Sequence, residues 1–408
     1  MHAEDAPPAL LPPASVSLGL GYLAKLVFDQ TDVQPLWEAL VARATAPEPD
    51  AAALLDLSML LQLTGQAEQG LAVQGQALAL SPIYRRVHGD GSGLRLLAFM
   101  TPGNFMANTP LDFLLEGSNV DLHLMYLEAG ATLPALVPDH DVALLAIGES
   151  DPNRPLLAAI APLIAAWPRA VVNGAPDRIA ALTRDGVAAM FEGSTRVRAP
   201  VARRLDRARI LGVAAGTLCL NKALPGAAFP VIIRPVDSHA GHALEKIDDA
   251  AALASYLEAT VQDEYYLTAF EDYSSPDGLF RKQRLAFIGD QVFVSHLAVS
   301  EHWMVHYLNA SMAERAERRA EEAAFMASFD TGFALRHAAA FDELRTAFGL
   351  DYFAIDCGET KDGRLLLFEA DVAMIIHAMD SETLYPYKKP AMQKLFAAFQ
   401  ARLAAQAA

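Results

Sequence analysis

The stretch YFAIDCGETKDGRLLLFEAD (352–371) decides the reading of this chain. Two runs of strand-forming residues, YFAIDCGE (352–359) and RLLLFEAD (364–371), flank KDG (361–363), the chemistry of a hairpin turn. Asp356 stands on the first run, Glu369 and Asp371 on the second. Side chains alternate across a strand with period two, so 369 and 371 share a face to which the partner strand can bring Asp356. Three carboxylates aimed at one spot repel unless a cation neutralises them. Hard oxygen donors on a semi-open sheet suit Mg²⁺, or Mn²⁺ in its place, with water and phosphate completing the shell. Taken alone, the hairpin also reads as a solvated polar sheet face.

Two segments upstream carry matching positive charge. PVIIRPVDSHAGHAL (230–244) is a buried strand ending in Arg234, followed by a small-residue loop with Ser238, His239 and Gly241. Such a loop can lay backbone N–H groups against phosphate oxygens beside a fixed guanidinium. FRKQR (280–284) places Arg281, Lys282 and Arg284 at a strand start in an acidic chain, a cluster able to hold a transferred phosphate and its acceptor carboxylate. An ordinary strand–loop junction and a solvated strand end are the structural alternatives. SHLAVSEHWMVHYLNA (295–310) then packs His296, His302, Trp303, His306 and Asn309 together. It reads as a substrate pocket with a histidine able to take a proton, or else as core histidines satisfied by backbone. His377 is a further, weaker candidate.

The rest of the chain is organised around these pieces. Residues 1–20 read as a poorly ordered lead-in, and Leu20 to Pro82 as helical, broken at APEP (46–49). Within it Leu54, Leu57, Leu61, Gly65, Gly70, Ala77 and Pro82 fit one tetratricopeptide-like unit, with Gly65 in the turn. A single helical pair cannot bury both faces, so it should dock on the next domain or on another chain. HGDGSG (88–93) reads as a linker, after which LRLLAFM (94–100), DLHLMYL (121–127), DVALLAI (141–147) and AVVN (170–173) alternate with helix, implying a small parallel sheet. The expected domains are 1–90 helical, 91–175 α/β, and 176–408 catalytic, giving an α/β (α+β) fold class.

Composition bounds the partners. The net charge is −17, with acidic residues scattered, which argues against nucleic acid and anionic membrane as partners. Two distant cysteines, Cys219 and Cys357, argue against a disulfide framework or a zinc module. Mean hydropathy is +0.20, yet no apolar run reaches the ~20 residues of a membrane helix. A cytoplasmic protein is the expectation.

From about Leu94 onward these pieces, in this order, resemble the ATP-grasp superfamily, its glutathione-synthetase-like and ribosomal-modification-type carboxylate–amine ligases in particular. NGAPDRIAALTR (173–184) resembles the helix that opens the nucleotide domain, and RAP (198–200) the strand start after it. FPVIIRP (229–235) is similar to the strand carrying a nucleotide-binding lysine, here Arg234, and SHAGHA (238–243) to the loop that closes over phosphates. YYLTAFE (265–271) looks like the adenine hinge, which would put backbone groups of Thr268, Ala269 and Phe270 on the base. Arg284 matches the arginine on the transferred phosphate, and FGLDYFAIDCG (348–358) with LFEAD (367–371) match the closing metal motif. Arg234 for lysine, a single glycine in the loop, no acidic residue directly before the hinge aromatic, Asp371 where asparagine is usual and no glycine-rich stretch after it mark an unusual branch.

The resemblance implies an ADP-forming ligase that binds ATP and Mg²⁺ and joins a small-molecule or peptide carboxylate to an amine through an acyl phosphate. The helical N-terminus would then hold a substrate, a second copy of the chain or a protein partner. A phosphotransferase would use the same parts, and a nucleotide-regulated adaptor or pseudoenzyme could retain them. The sequence leaves these open, and it does not reveal the acid, the amine or the oligomeric state.

Overall fold

The computed structural model describes residues 16–130, 133–134, 136–238 and 241–407. Most of the lead-in therefore lies outside the described residues, and so does His239; Val16 bridges to Arg85. Four helices follow: α1 (Leu20–Phe28), α2 (Gln34–Ala44), α3 (Ala51–Leu63) and α4 (Ala67–Leu80). Asp50 starts α3 by accepting from the Ala52 amide at 2.9 Å while gripping Arg43 Nε at 2.9 Å, a charged N-cap. Gly65 turns the chain into α4 at φ 85°, a left-handed conformation that a Cβ disfavours. Every residue from Ala52 to Gln62 in α3 is buried. The helix is enclosed because the helical region docks on the next sheet: Leu54, Leu55 and Met59 share one core with Leu96, Ala98, Leu122 and Leu124.

That sheet has strand order β1-β3-β2-β4-β5, formed by β1 (Ile83–Val87), β2 (Arg95–Met100), β3 (Asp121–Tyr126), β4 (Val142–Leu145) and β5 (Val171–Val172). The four expected strands are parallel, as read. The additional edge strand β1 pairs antiparallel with β3, so the sheet is mixed. Arg85 and Arg86 hid β1 from a hydrophobic reading; Arg85 pairs with Asp121 at 2.8 Å, and buried Arg86 pairs with Asp112. The helices of this layer are α5 (Leu111–Leu114), α6 (Arg154–Ala165) and α7 (Pro176–Ala180).

Two further sheets follow. After α8 (Arg184–Met190) and β6 (Val197–Arg198), a four-stranded antiparallel sheet of order β7-β10-β8-β9 contains β7 (Ala202–Asp206), β8 (Val231–Pro235), β9 (Glu245–Ile247) and β10 (Glu264–Ala269). It carries α9 (Arg207–Ala214), α10 (Leu220–Ala223) and α11 (Ala250–Ala259) and has its own core around Ile210, Leu253 and Tyr265. The last sheet, of order β12-β11-β13-β14-β6, holds β11 (Phe280–Ile288), β12 (Gln291–Ser300), β13 (Tyr352–Glu359) and β14 (Leu365–Asp371). The helices α12 (Ala316–Ser328), α13 (Phe333–Arg336) and α14 (Ala338–Phe348) connect its hairpins, and the closing α15 (Lys388–Ala407) packs Leu395, Phe396 and Phe399 into the first core. The described residues form a mixed α/β fold with three sheets. Among the described residues, no helix is long and apolar enough to cross a membrane.

A buried charge in this scaffold makes a stability test. Asp56, on α3 and fully buried, accepts from the Leu18 and Gly19 amides, and burial pushes its carboxyl up to about 6 against the pull of Arg86. A raised folded-state value means the fold favours the protonated acid. That contribution is complete below about pH 4 and is lost as the pH rises through about 6. Asp56→Asn keeps an acceptor without the charge. It is expected to match the wild type in urea denaturation near pH 4 and to exceed it by about 1–3 kcal/mol at pH 8; an equal difference at both pH values would contradict this.

Candidate functional site

The site begins with a break in register. Strict alternation would put Leu365, Leu367, Glu369 and Asp371 on one face of β14. Asp356 pairs with Glu369 but Cys357 pairs with Leu367, so Phe368 is an extra residue, a β-bulge. Below it Leu365 and Leu367 enter the second core; above it Ala370 and Val372 take that role, and Glu369 and Asp371 turn to the face of Asp356. Gly358 makes room for the bulge, since a Cβ there would stand 3.3 Å from the Phe368 ring. A second bulge lies across the sheet. Arg284 pairs with His296 while Leu285 pairs with Val294, leaving Ser295 extra and turning His296 toward Arg284.

The carboxylates do meet on one face, and cations already stand among them. Asp356, 2% exposed, receives Arg284 Nε at 2.8 Å and Lys282 Nζ at 2.8 Å. Burial works against its ionisation, but the charges of Arg284 and Lys282 hold its carboxyl well below the usual range. Glu369 pairs with Arg184, whose charge likewise outweighs burial and keeps that carboxyl low. Asp371 accepts the Ala373 amide at 3.0 Å, yet burial and the neighbouring Glu369 push it up to about 7. Arg234 shows the opposite imbalance: buried in β8, bonded to Ser238 Oγ at 2.9 Å and facing Arg184, it is pulled down to about 9. The site thus holds two groups without a matching charge, Arg234 and Asp371, while Arg184 is matched by Glu369.

Several residues named from sequence fall elsewhere. Arg281 alternates away from Lys282 and Arg284 and pairs with Asp277 at 2.8 Å and with Glu321, so the phosphate-binding reading of Arg281 is corrected by strand geometry. At the expected hinge, the Ala269 amide donates to Val201 O at 2.9 Å and the Phe270 amide to Pro230 O at 3.4 Å. Those two donors are spent within the sheet; Thr268 lies between β7 and β8. Phe270 meets Trp303 edge-on at 5.8 Å and carries Lys246 Nζ 4.8 Å above its ring. Gly241 itself lies against Met304, next to Trp303, since a Cβ there would stand 3.3 Å from Met304 Sδ. His302 is exposed. Asn309 braces its own turn, accepting from the His306 amide at 2.9 Å. His306 is half-buried and feels Asp356 and Glu369, but burial, Lys282 and Arg284 keep its imidazole neutral to lower pH. His296 is shifted down in the same way.

Sequence reasoning missed Arg184, Glu149 and Lys388. Arg184 had a signal: it opens α8, where a cation opposes the helix dipole. Glu149, following β4, is pushed up to about 7 by burial and by Asp371 and Asp237. Lys388 is buried beside the site; it contacts Asp380 at 3.1 Å, Tyr307 Oη at 2.5 Å and fully buried Glu322 at 3.4 Å, the last two too far away in sequence to be joined by spacing. Glu322 also receives the Tyr387 hydroxyl at 2.7 Å and the Leu297 amide at 3.1 Å, a satisfied network that anchors the 300–310 turn.

The fit to a metal ion is partial. Among the described residues, no group of three His, Cys, Asp or Glu side chains stands ready to hold one. Asp356 is committed to Lys282 and Arg284 and Glu369 Oε2 to Arg184, so the hard donors are Asp371 and the other Glu369 oxygen, whose repulsion a divalent cation would relieve.

No family model matches the chain, and no curated protein matches it. Among solved structures it is similar to a RimK domain protein ATP-grasp from Sphaerobacter thermophilus DSM 20745, at 13% identity and a TM-score of 0.41, covering 76% of this chain and 99% of that one. It is also similar to the D-alanine–D-alanine ligase of Bacillus anthracis. The complex with ATP gives 13% identity, a TM-score of 0.46, and coverage of 77% and 97%. A second structure of that ligase gives 12%, 0.44, 77% and 99%. At these values the likeness carries no functional argument, and the reading below rests on this chain's own residues.

The surplus positive charge predicts polyanion binding without any base or sugar. Inorganic tripolyphosphate is expected to raise the melting temperature of the wild type, less so as salt increases. Arg184→Ala and Arg234→Met should each weaken its binding about tenfold or more; titration calorimetry showing unchanged affinity in both would remove the anion site.

Proposed function

We propose that this chain is an ATP-dependent, ADP-forming carboxylate–amine ligase of the ATP-grasp type. The observation that carries the reading is the meeting of Arg184, Arg234, Lys282 and Arg284 with Asp356, Glu369 and Asp371, brought together by the four-stranded antiparallel sheet, the five-stranded hairpin sheet and the start of α8. A polyphosphate accompanied by a divalent cation supplies both missing charges at once. The anion would neutralise Arg234 and Arg184, and Mg²⁺ or Mn²⁺ would be held by Glu369 and Asp371, supplying charge neutralisation between phosphate oxygens.

The residues then divide the work. Arg234 and Arg184 fix the phosphates, with Ser238 holding the Arg234 guanidinium in place through Nε. Lys282 and Arg284, aligned by Asp356, stand where charge develops as the γ-phosphoryl group passes to a substrate carboxylate. The amine would displace phosphate from the resulting acyl phosphate, and neutral His306, close to both Lys282 and Glu369, is suited to take the proton the amine gives up. Asn309 serves by holding the His306 turn, and His302 is exposed on the same loop. Base recognition falls to the segment around Phe270, Lys246 and Trp303, through ring faces and carbonyl groups.

The substrate screen is direct: purified protein with Mg²⁺ and ATP is given pools of amino acids, small carboxylates and short peptides, and the nucleotide product is identified. ADP and phosphate formed only with a particular acid and amine are expected, with loss of Mg·ATP binding in Glu369→Ala. AMP and pyrophosphate, or unchanged Mg·ATP binding in that variant, would overturn the reading.

A further inference from the structure

A cavity of about 130 Å³ opens between the end of α8, β6 and the start of β7. It lies outside the cleft. Helix α8 begins at Arg184, in the site, and reaches the cavity only at Ala188 and the following Phe191. Strand β14 likewise starts beside Arg364, which lines the cavity, and runs from there to Glu369. At about 3.3 Å per strand residue, Arg364 stands about 17 Å from Glu369. The turn that shapes the cavity is local. Gly193, at φ 81° and with open space where a Cβ would stand, reverses the chain after α8. Ser194 Oγ then accepts the Arg196 amide at 3.1 Å and the Val197 amide at 3.0 Å, which leads into β6. Val197 and Arg198 pair with Leu365 and Leu366, so that Arg198 and Arg364 come to the same cavity. Arg203, opposite Leu267 of β10, joins them from β7.

Each of the three guanidiniums has donors left over. Arg198 gives only Nε to Glu271, at 2.8 Å, and Arg364 only Nε to Asp362, at 2.9 Å. Arg203 gives Nη1 to Ala202 O at 2.9 Å, and among the described residues no carboxylate pairs with it. The terminal nitrogens of Arg198 and Arg364 and Nη2 of Arg203 are unused. So is the proton of the Ser194 hydroxyl, whose oxygen accepts both of its hydrogen bonds. All four side chains are half-buried and so keep surface to present to an occupant. Glu192 also lines the cavity, but it is exposed, and among the described residues it pairs with none of the three arginines.

Donors on three separate strands, joined by a hydroxyl, suit an anion with oxygens on every side. A carboxylate, with two oxygens in one plane, engages fewer of them. The volume far exceeds the roughly 10–15 Å³ that a single water needs, which leaves room for a tetrahedral oxyanion. We propose that this cavity binds a phosphoryl group, either inorganic phosphate or the end of a small phosphate monoester, through Arg198, Arg203, Arg364 and the Ser194 hydroxyl.

The test is titration calorimetry of the full chain with inorganic phosphate at fixed ionic strength. It needs neither nucleotide nor Mg²⁺, so its failure is separate from failure of the ligase reading. Arg234→Met, which removes the unmatched cation of the cleft, serves as the background. Saturable phosphate binding is expected to persist there, with acetate weaker by about tenfold or more. Adding Arg203→Met or Arg364→Met should each weaken phosphate by about tenfold or more, while both variants still unfold cooperatively. Phosphate binding more tightly than methyl phosphate supports a site for the free anion, and the reverse order supports the same site for a monoester. Loss of phosphate binding in Arg234→Met alone would put the anion in the cleft and overturn the proposal. Unchanged affinity in both arginine variants, or acetate binding as tightly as phosphate, would overturn it equally.

Discussion

The two register breaks at Phe368 and Ser295 are the constraint on which the site depends. A strand that must feed Leu365 and Leu367 into a core cannot, by alternation alone, aim Glu369 and Asp371 at a cleft. One unpaired residue reverses the phase, and the same device across the sheet turns His296 toward Arg284. Deleting Phe368 would return the acidic residues to the core face, where their burial without partners is prohibitive. Gly358 and the Tyr273 ring, 5.0 Å from that of Phe368, hold the bulge in place.

The charges arranged by that geometry are only partly satisfied. Asp356 with Lys282 and Arg284, and Glu369 with Arg184, are closed pairs, the kind that orient a site. Asp371 and Arg234 are the unbalanced members, one pushed up to about 7 and the other pulled down to about 9. A fold selected for stability alone would replace such groups with apolar ones at little cost. Their presence together in one site is what the proposed binding of an anion beside one and a cation beside the other would satisfy.

Much of the hairpin was legible because its signals are local. Strand patterning, the KDG turn and the positions of Asp356, Glu369 and Asp371 all lie within twenty residues, and the structure places them as read. Strand β8 with Arg234 and the β11–β12 hairpin were legible for the same reason. Face assignment in the basic run was not. Alternation separates Arg281 from Lys282 and Arg284, but which face carries the site is shown only by the partners, Asp356 for Lys282 and Arg284 and Asp277 with Glu321 for Arg281. Edge strand β1 was masked by arginines that pair with Asp112 and Asp121, partners a linear reading cannot assign. At the expected hinge the Ala269 and Phe270 amides are engaged by the Val201 and Pro230 carbonyls, partners a linear reading cannot assign. Lys388 and Glu322 meet only through tertiary packing of α12 against α15 and the 300–310 turn.

In the proposed reaction the cationic face of Lys282 and Arg284 receives a γ-phosphoryl group and passes it to a carboxylate. Positional isotope exchange tests that step before any amine takes part. ATP labelled with ¹⁸O at the β,γ-bridge is incubated with the protein, Mg²⁺ and the acid substrate alone, and the recovered ATP is examined by ³¹P NMR. Movement of label from the bridge to the β-nonbridging positions, dependent on the acid and abolished in Arg284→Ala, is the predicted result. Label that stays at the bridge with the acid bound, while the amine still drives ADP formation, would contradict transfer through an acyl phosphate.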